Sequence, residues 1–212
     1  MLSIITDCSV ESRTLLKFKR KEVERTCQAS EQKLYNIIDI NHYNAAIDQG
    51  ERTNMGMTGN YIALADAQIK QIADGNLELG ELNTEDYASL DIDKSWQAIH
   101  YLLTGDICEG AAPFGYVVPM QDDNAVDYGE FGAFYLYREQ VAEASAALAQ
   151  LSKNDVLARY NFDDMVEESI YPVMDDEDKD EFFDYLYVNL QAIQAYYEKA
   201  AADGNGVVFY IF

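Results

Sequence analysis

Basic residues are scarce over most of this chain. Of its 15 Lys and Arg, eight precede Met55 (Arg13, Lys17, Lys19, Arg20, Lys21, Arg25, Lys33, Arg52), where eight acids balance them, so residues 55–212 hold seven against 30 acids. The net charge of −23 therefore belongs to that second part. Such a surface repels phosphate, which argues against nucleic acid as a partner and disfavours anionic membranes. Histidine is scarce too, with two residues, and the three cysteines (Cys8, Cys27, Cys108) are odd in number and widely spaced. That excludes a disulfide framework and the usual zinc spacings, so free thiols, no metal and no cofactor are expected. No apolar run approaches the ~18 to 20 residues of a membrane span. The first ten residues lack the basic start and small-residue cleavage site of a signal peptide, so a cytoplasmic location is expected. The nucleophile elbow, the P-loop, the dinucleotide glycine fingerprint and the His-Glu-x-x-His zinc motif are all missing. No catalytic residue is assigned.

What is present is enough for a core. Hydrophobic residues make up 49% and aromatics 12%, with 16 tyrosines. Tyrosine buries a ring while its hydroxyl stays wet, which suits half-exposed surfaces and interfaces. The charge split suggests two parts: residues 1–54 as an N-terminal extension or arm, and 55–212 as a domain able to fold alone. The first part carries a mixed charge run from Lys17 to Arg25 and a weak helical stripe (Leu34, Ile37, Ile38, Asn41, Ala45). A docking helix, a flexible arm and sequence upstream of an alternative start at Met55 all fit it.

Downstream, periodicity is clearer. Thr58–Leu64 reads as a strand, Asp66–Ile72 as a helix ended by Asp74-Gly75-Asn76, and residues 77–90 as irregular. Trp96, Ile99, His100 and Leu103 share one face of a helix expected over Asp91–Leu103, with Asp91 or Asp93 as its cap and Gly105 as its stop. Phe114–Val118 suggests a short strand and Gln121–Asp127 a polar loop. Gly132–Tyr137 is a strand, followed by helices over Glu139–Leu151 and Lys153–Tyr160. Residues 163–184 hold 11 acids and one lysine around the apolar anchor Ile170-Tyr171-Pro172. Phe183, Leu186, Leu190, Ile193, Tyr197 and Ala200 then step by three and four along a helix expected from Asp178 to Ala202. Val207–Phe212 is a closing strand. The mixture predicts an α+β fold: one compact domain with a small, mostly antiparallel sheet packed by several helices, the C-terminal one long.

Several of these segments resemble the YfbM-like family of small bacterial proteins. Met55-Gly56-Met57 with Tyr61 is similar to the family's start. Leu90-Asp91-Ile92-Asp93-Lys94-Ser95-Trp96 followed by Ile99-His100-Tyr101-Leu102-Leu103-Thr104-Gly105 looks like its most distinctive segment. Ile170-Tyr171-Pro172 and Tyr196-Tyr197-Glu198-Lys199-Ala200-Ala201 are similar as well. The resemblance covers Met55–Phe212 and departs at Asp127-Tyr128-Gly129-Glu130-Phe131-Gly132, where the family's Pro and Arg are missing. It implies a fold and a bacterial origin, and no established activity.

Two sets of residues invite a functional reading. Asp91, Asp93, Lys94, Trp96, His100 and Tyr128 would line a ligand pocket, with His100 titrating near neutrality. Against this, Asp93 as a cap, Trp96 as packing and His100 as a core hydrogen-bonding group account for the same residues. The acids Asp163, Asp164, Glu167, Glu168, Asp175, Asp176, Glu177 and Asp178 would form a partner-binding face. Solubility or adaptation to a saline habitat explains their charge equally well. The run from Asp175 to Asp178 lacks the glycine and spaced acid of a calcium loop. A non-enzymatic module that docks a basic protein, as an immunity-type or regulatory inhibitor does, is the leading expectation. A small enzyme or ligand-binding domain is the alternative. Oligomeric state is not legible.

Overall fold

The structure, a computed structural model, describes residues 56–212. The expectations for residues 1–54 lie outside them. Five strands form one antiparallel sheet: β1 (Gly59–Leu64), β2 (Ser89–Asp91), β3 (Ala125–Val126), β4 (Ala133–Leu136) and β5 (Gly206–Ile211), in the order β2-β1-β5-β4-β3. Six helices accompany them: α1 (Asp66–Ala73), α2 (Trp96–Thr104), α3 (Arg138–Leu148), α4 (Lys153–Arg159), α5 (Phe162–Glu167) and α6 (Lys179–Ala202). This is the expected α+β domain with a long C-terminal helix.

The two-residue period of the strands divides the interior into two layers. Tyr61 and Ala63 of β1, Leu136 of β4 and Val207, Phe209 and Ile211 of β5 face α2 to α6 in the larger cluster. Ile62, Leu64, Ala133, Val208, Tyr135 and Tyr210 face the other way, towards α1 and the segment 77–87. Helix α6 lays its whole expected seam, from Phe183 to Ala200, into the larger layer, and Leu186, Leu190, Ile193 and Tyr197 are fully buried. Removing such side chains from water is worth roughly 1.5–3 kcal/mol each, so this seam anchors the helical layer. Asp178 caps α6, its carboxylate accepting the amides of Asp180 and Glu181 at 2.9 and 3.0 Å. Gly105 ends α2 in the left-handed region at φ 72°, where a side chain would be strained.

Four details differ from the expectations. Helix α2 begins at Trp96, after a 3-10 turn over Asp93–Ser95, because Asp91 is held in β2 opposite Asn60. Neither Asp91 nor Asp93 caps it by a side-chain hydrogen bond; the Asp91 carboxylate accepts the Asp93 amide instead, at 2.7 Å. Phe114–Val118 is not a strand. Phe114–Tyr116 is a 3-10 turn over the helical layer, and side chains rather than a ladder satisfy its carbonyls: Tyr197 donates to Tyr116, Tyr61 and Tyr197 to Val117, and His100 to Val118. The polar stretch 121–127 contributes the short edge strand β3, and the acidic stretch hides α5, whose amphipathic turn buries Phe162 and Met165. In both places the apolar signal is too short to declare an element.

Candidate functional site

The six pocket candidates fall into three places. Trp96 and His100 lie in the helical layer, both essentially without exposure. The Trp96 indole donates to the Met57 carbonyl at 3.0 Å and its ring meets Tyr171 at 5.9 Å between centroids. It thereby ties α2 to the lead-in of β1 and to the Ile170-Tyr171-Pro172 anchor. Gln97, also buried, accepts the Tyr171 amide at 2.7 Å. This whole first turn is packing and polar matching.

His100 is fixed by a carbonyl. Its Nδ1 lies 2.9 Å from the Val118 oxygen. A carbonyl only accepts, so Nδ1 carries the proton. Nε2 is left without a hydrogen-bond partner; the Glu109 carbonyl lies close enough to favour a proton there without adequate bonding geometry. Burial lowers the pKa of the ring below the ordinary histidine value, and the Val118 and Glu109 carbonyls and the Asp106 carboxylate oppose that only in part. His100 is therefore a neutral clasp between α2 and the segment 105–118 near pH 7. No carboxylate hydrogen-bonds to it among the described residues.

Asp93 and Lys94 sit at the rim. Asp93 has φ 50°, uncommon for a residue with a side chain, and its carboxylate accepts the Tyr185 hydroxyl at 2.9 Å. Burial, then that hydrogen bond and the Asp93 charge, raise the Tyr185 pKa, so the phenol stays a donor. Lys94 stretches its stem across Gly56, where a side chain would collide with it.

Asp91 and Tyr128 belong to the opposite face of the sheet. Register sets Asp91, Asn60, Tyr210 and Ala133 side by side across β2, β1, β5 and β4. Tyr128 packs edge-on against Tyr210, with ring centroids 5.2 Å apart. Burial, Tyr128 and the Asp91 carboxylate raise the Tyr210 pKa, in that order. Tyr210 thus joins the two candidates that sequence spacing could not relate. Its signal was the tyrosine-rich composition, which marks a wet surface without giving an address.

The acidic candidates lie on α5 and in the segment between it and α6. Asp164 accepts the Tyr101 hydroxyl at 2.6 Å, and Asp163 pairs with Lys179 at 2.6 Å. Glu177 accepts the Met174 amide at 3.2 Å. Glu167, Glu168, Asp175 and Asp176 are exposed, and none forms an ion pair with another described residue. Met174, next to Asp175 in the chain, is 60% exposed. No group of three or more His, Cys, Asp and Glu among the described residues is arranged to hold a metal, and no helix there is long and apolar enough to cross a membrane.

A five-stranded antiparallel sheet with its last strand in the middle, five helices on one face and one on the other, defines an α+β domain of a specific type. Residues 55–210 match the family described as a domain of unknown function, DUF1877, and the chain belongs to it. The crystal structure of YfbM from Escherichia coli, a protein of unknown function, is similar with a TM-score of 0.57 at 18% identity, covering 73% of this chain and 99% of that one. At that identity the likeness concerns the fold. The YfbM-like reading of the sequence agrees with both. No curated protein matches the chain.

Proposed function

We propose that this domain is a non-enzymatic protein-binding module whose α5–α6 edge docks a basic partner. The observation that carries the reading is a set of exposed acids without a described ion-pair partner at the two ends of this junction. Glu167 and Glu168 lie at the end of α5, and Asp175 and Asp176 shortly before the Asp178 cap of α6, where the neighbouring Met174 is exposed as well. Exposed charge with an adaptable apolar side chain next to it in sequence suits a docking surface. The other acids have structural work as a cap, a hydrogen-bond acceptor or an ion-pair partner, so the edge is part scaffold and part contact. His100, buried and lacking a carboxylate partner, supports this reading over the enzyme alternative.

The test is association kinetics. With the partner recovered from its own cell, the triple change Asp175→Asn, Asp176→Asn and Glu167→Gln is expected to lower the on-rate more than it raises the off-rate. The on-rate should also fall steeply with added salt, because screening cuts the field to about 8 Å at physiological ionic strength. A wild-type on-rate indifferent to salt and to these changes would overturn the proposal.

A further inference from the structure

We propose a second, separate contact on the opposite face of the sheet: Tyr128, Tyr210 and Asp91 form a receptor for an arginine side chain of a partner protein. The identity of the residue class rests on the reading that the partner is basic; the location does not.

The site follows from how the sheet face is covered. Helix α1 lies over one end, where Ile69 sits so close above Gly206 that a side chain there would have no room. Along β5 the side chains then run Gly206, Val208, Tyr210 on this face, away from the helix. Val208 is fully buried, whereas Tyr210 and Tyr128 are each half-buried. Their T-shaped contact presents ring edge to ring face. Both tyrosines keep part of their surface in solvent, and an aromatic ring attracts a cation through its quadrupole. The charge is complementary as well. Asp91, exposed and two strands from Tyr210, acts on its phenol. The described cations of this face are engaged elsewhere: Lys70 pairs with Asp74 at 2.9 Å, and Arg138 bridges Asp66 and Glu139 at 3.4 and 2.9 Å. An incoming guanidinium would stack on tyrosine while donating to the Asp91 carboxylate, a combination a compact ammonium matches less well.

The experiment uses the full chain, labelled with nitrogen-15, titrated with the heptapeptide Gly-Arg-Gly-Arg-Gly-Arg-Gly, and with its lysine and citrulline counterparts. The arginine peptide is expected to shift the amides of Tyr128, Tyr210, Asn60 and Asp91, the lysine peptide to bind more weakly, and the citrulline peptide not to bind there. Asp91→Asn and Tyr128→Leu should each weaken the arginine peptide by about 2- to 5-fold, the size of one exposed cation–aromatic contact. Asp91 is exposed, so its variant tests the site even if loss of the Tyr128 ring disturbs the fold. The α5–α6 triple variant should leave the Tyr128 and Tyr210 shifts in place, which separates this site from the acidic edge. Shifts confined to residues 163–184, equal affinity for lysine and arginine, or indifference to Asp91→Asn would each overturn the proposal.

Discussion

His100 makes a quantitative prediction about acid stability. In the native state the ring is neutral, with Nδ1 donating to Val118 and Nε2 left without a hydrogen bond. Burial holds its native pKa below the ordinary histidine value of about 6.5. The unfolded chain therefore binds the proton more readily than the native one. Stability contributed by His100 is fully present above about pH 6.5 and is lost as pH falls below that value, until the native pKa is reached. The slope cannot exceed one proton, which is about 1.4 kcal/mol per pH unit. Between pH 7 and pH 5 the loss is thus at most about 2 kcal/mol.

The assay is urea unfolding at half-unit steps from pH 5 to 7.5, on the wild type and on His100→Asn. Asparagine places an amide donor near the Nδ1 position and does not titrate. The variant is expected to lose stability at every pH, because a buried ring is replaced by a smaller group. Its slope over this window should be flatter than the wild type's. The ordinary carboxylate range lies near pH 4, and titrations shared by both proteins cancel in the comparison. Identical slopes would refute the reasoning. A wild type that gains stability below pH 6.5 would refute it more directly, because the native pKa would then be raised.

Two further outcomes follow from packing and backbone geometry. Leu190→Ala, at a fully buried position in the α6 seam, should cost about 2–5 kcal/mol by lost burial plus cavity, read as a drop in the urea midpoint with unchanged m-value. Gly105→Ala should cost about 1–2 kcal/mol although nothing crowds a side chain there, since φ 72° alone is unfavourable, and thermal melting would report it.

The sequence was most legible where one period persisted. The α6 seam repeats over six positions, so the helix and its buried face could be read directly, and β1, β4 and β5 are short apolar runs bounded by turn residues, which is enough to find them. It was least legible where neighbours set the conformation. Phe114–Val118 has a strand's composition, yet the hydroxyls of Tyr61 and Tyr197, 56 and 80 positions from Val117, claim its carbonyls. Residue spacing carries no trace of such a partner. Asp91 has a helix cap's chemistry, yet pairing with Asn60 keeps it in a strand.

The candidate pocket shows the same limit in a more consequential form. Asp91, Trp96 and His100 are close in sequence, and proximity suggested one site. A strand-to-helix corner separates them. Asp91 is the last residue of β2 and faces the α1 side, while the chain turns at Asp93 and sends Trp96 and His100 into the helical layer. The sheet lies between the two faces, with Trp96 and His100 on one and Asp91 and Tyr128 on the other. It also frees the faces to differ: Trp96 and His100 can be fully committed to folding while Asp91, set beside Tyr210 by register, stays at the surface. Pairing across strands brought Tyr210 between Asp91 and Tyr128, a juxtaposition over more than 80 residues of chain.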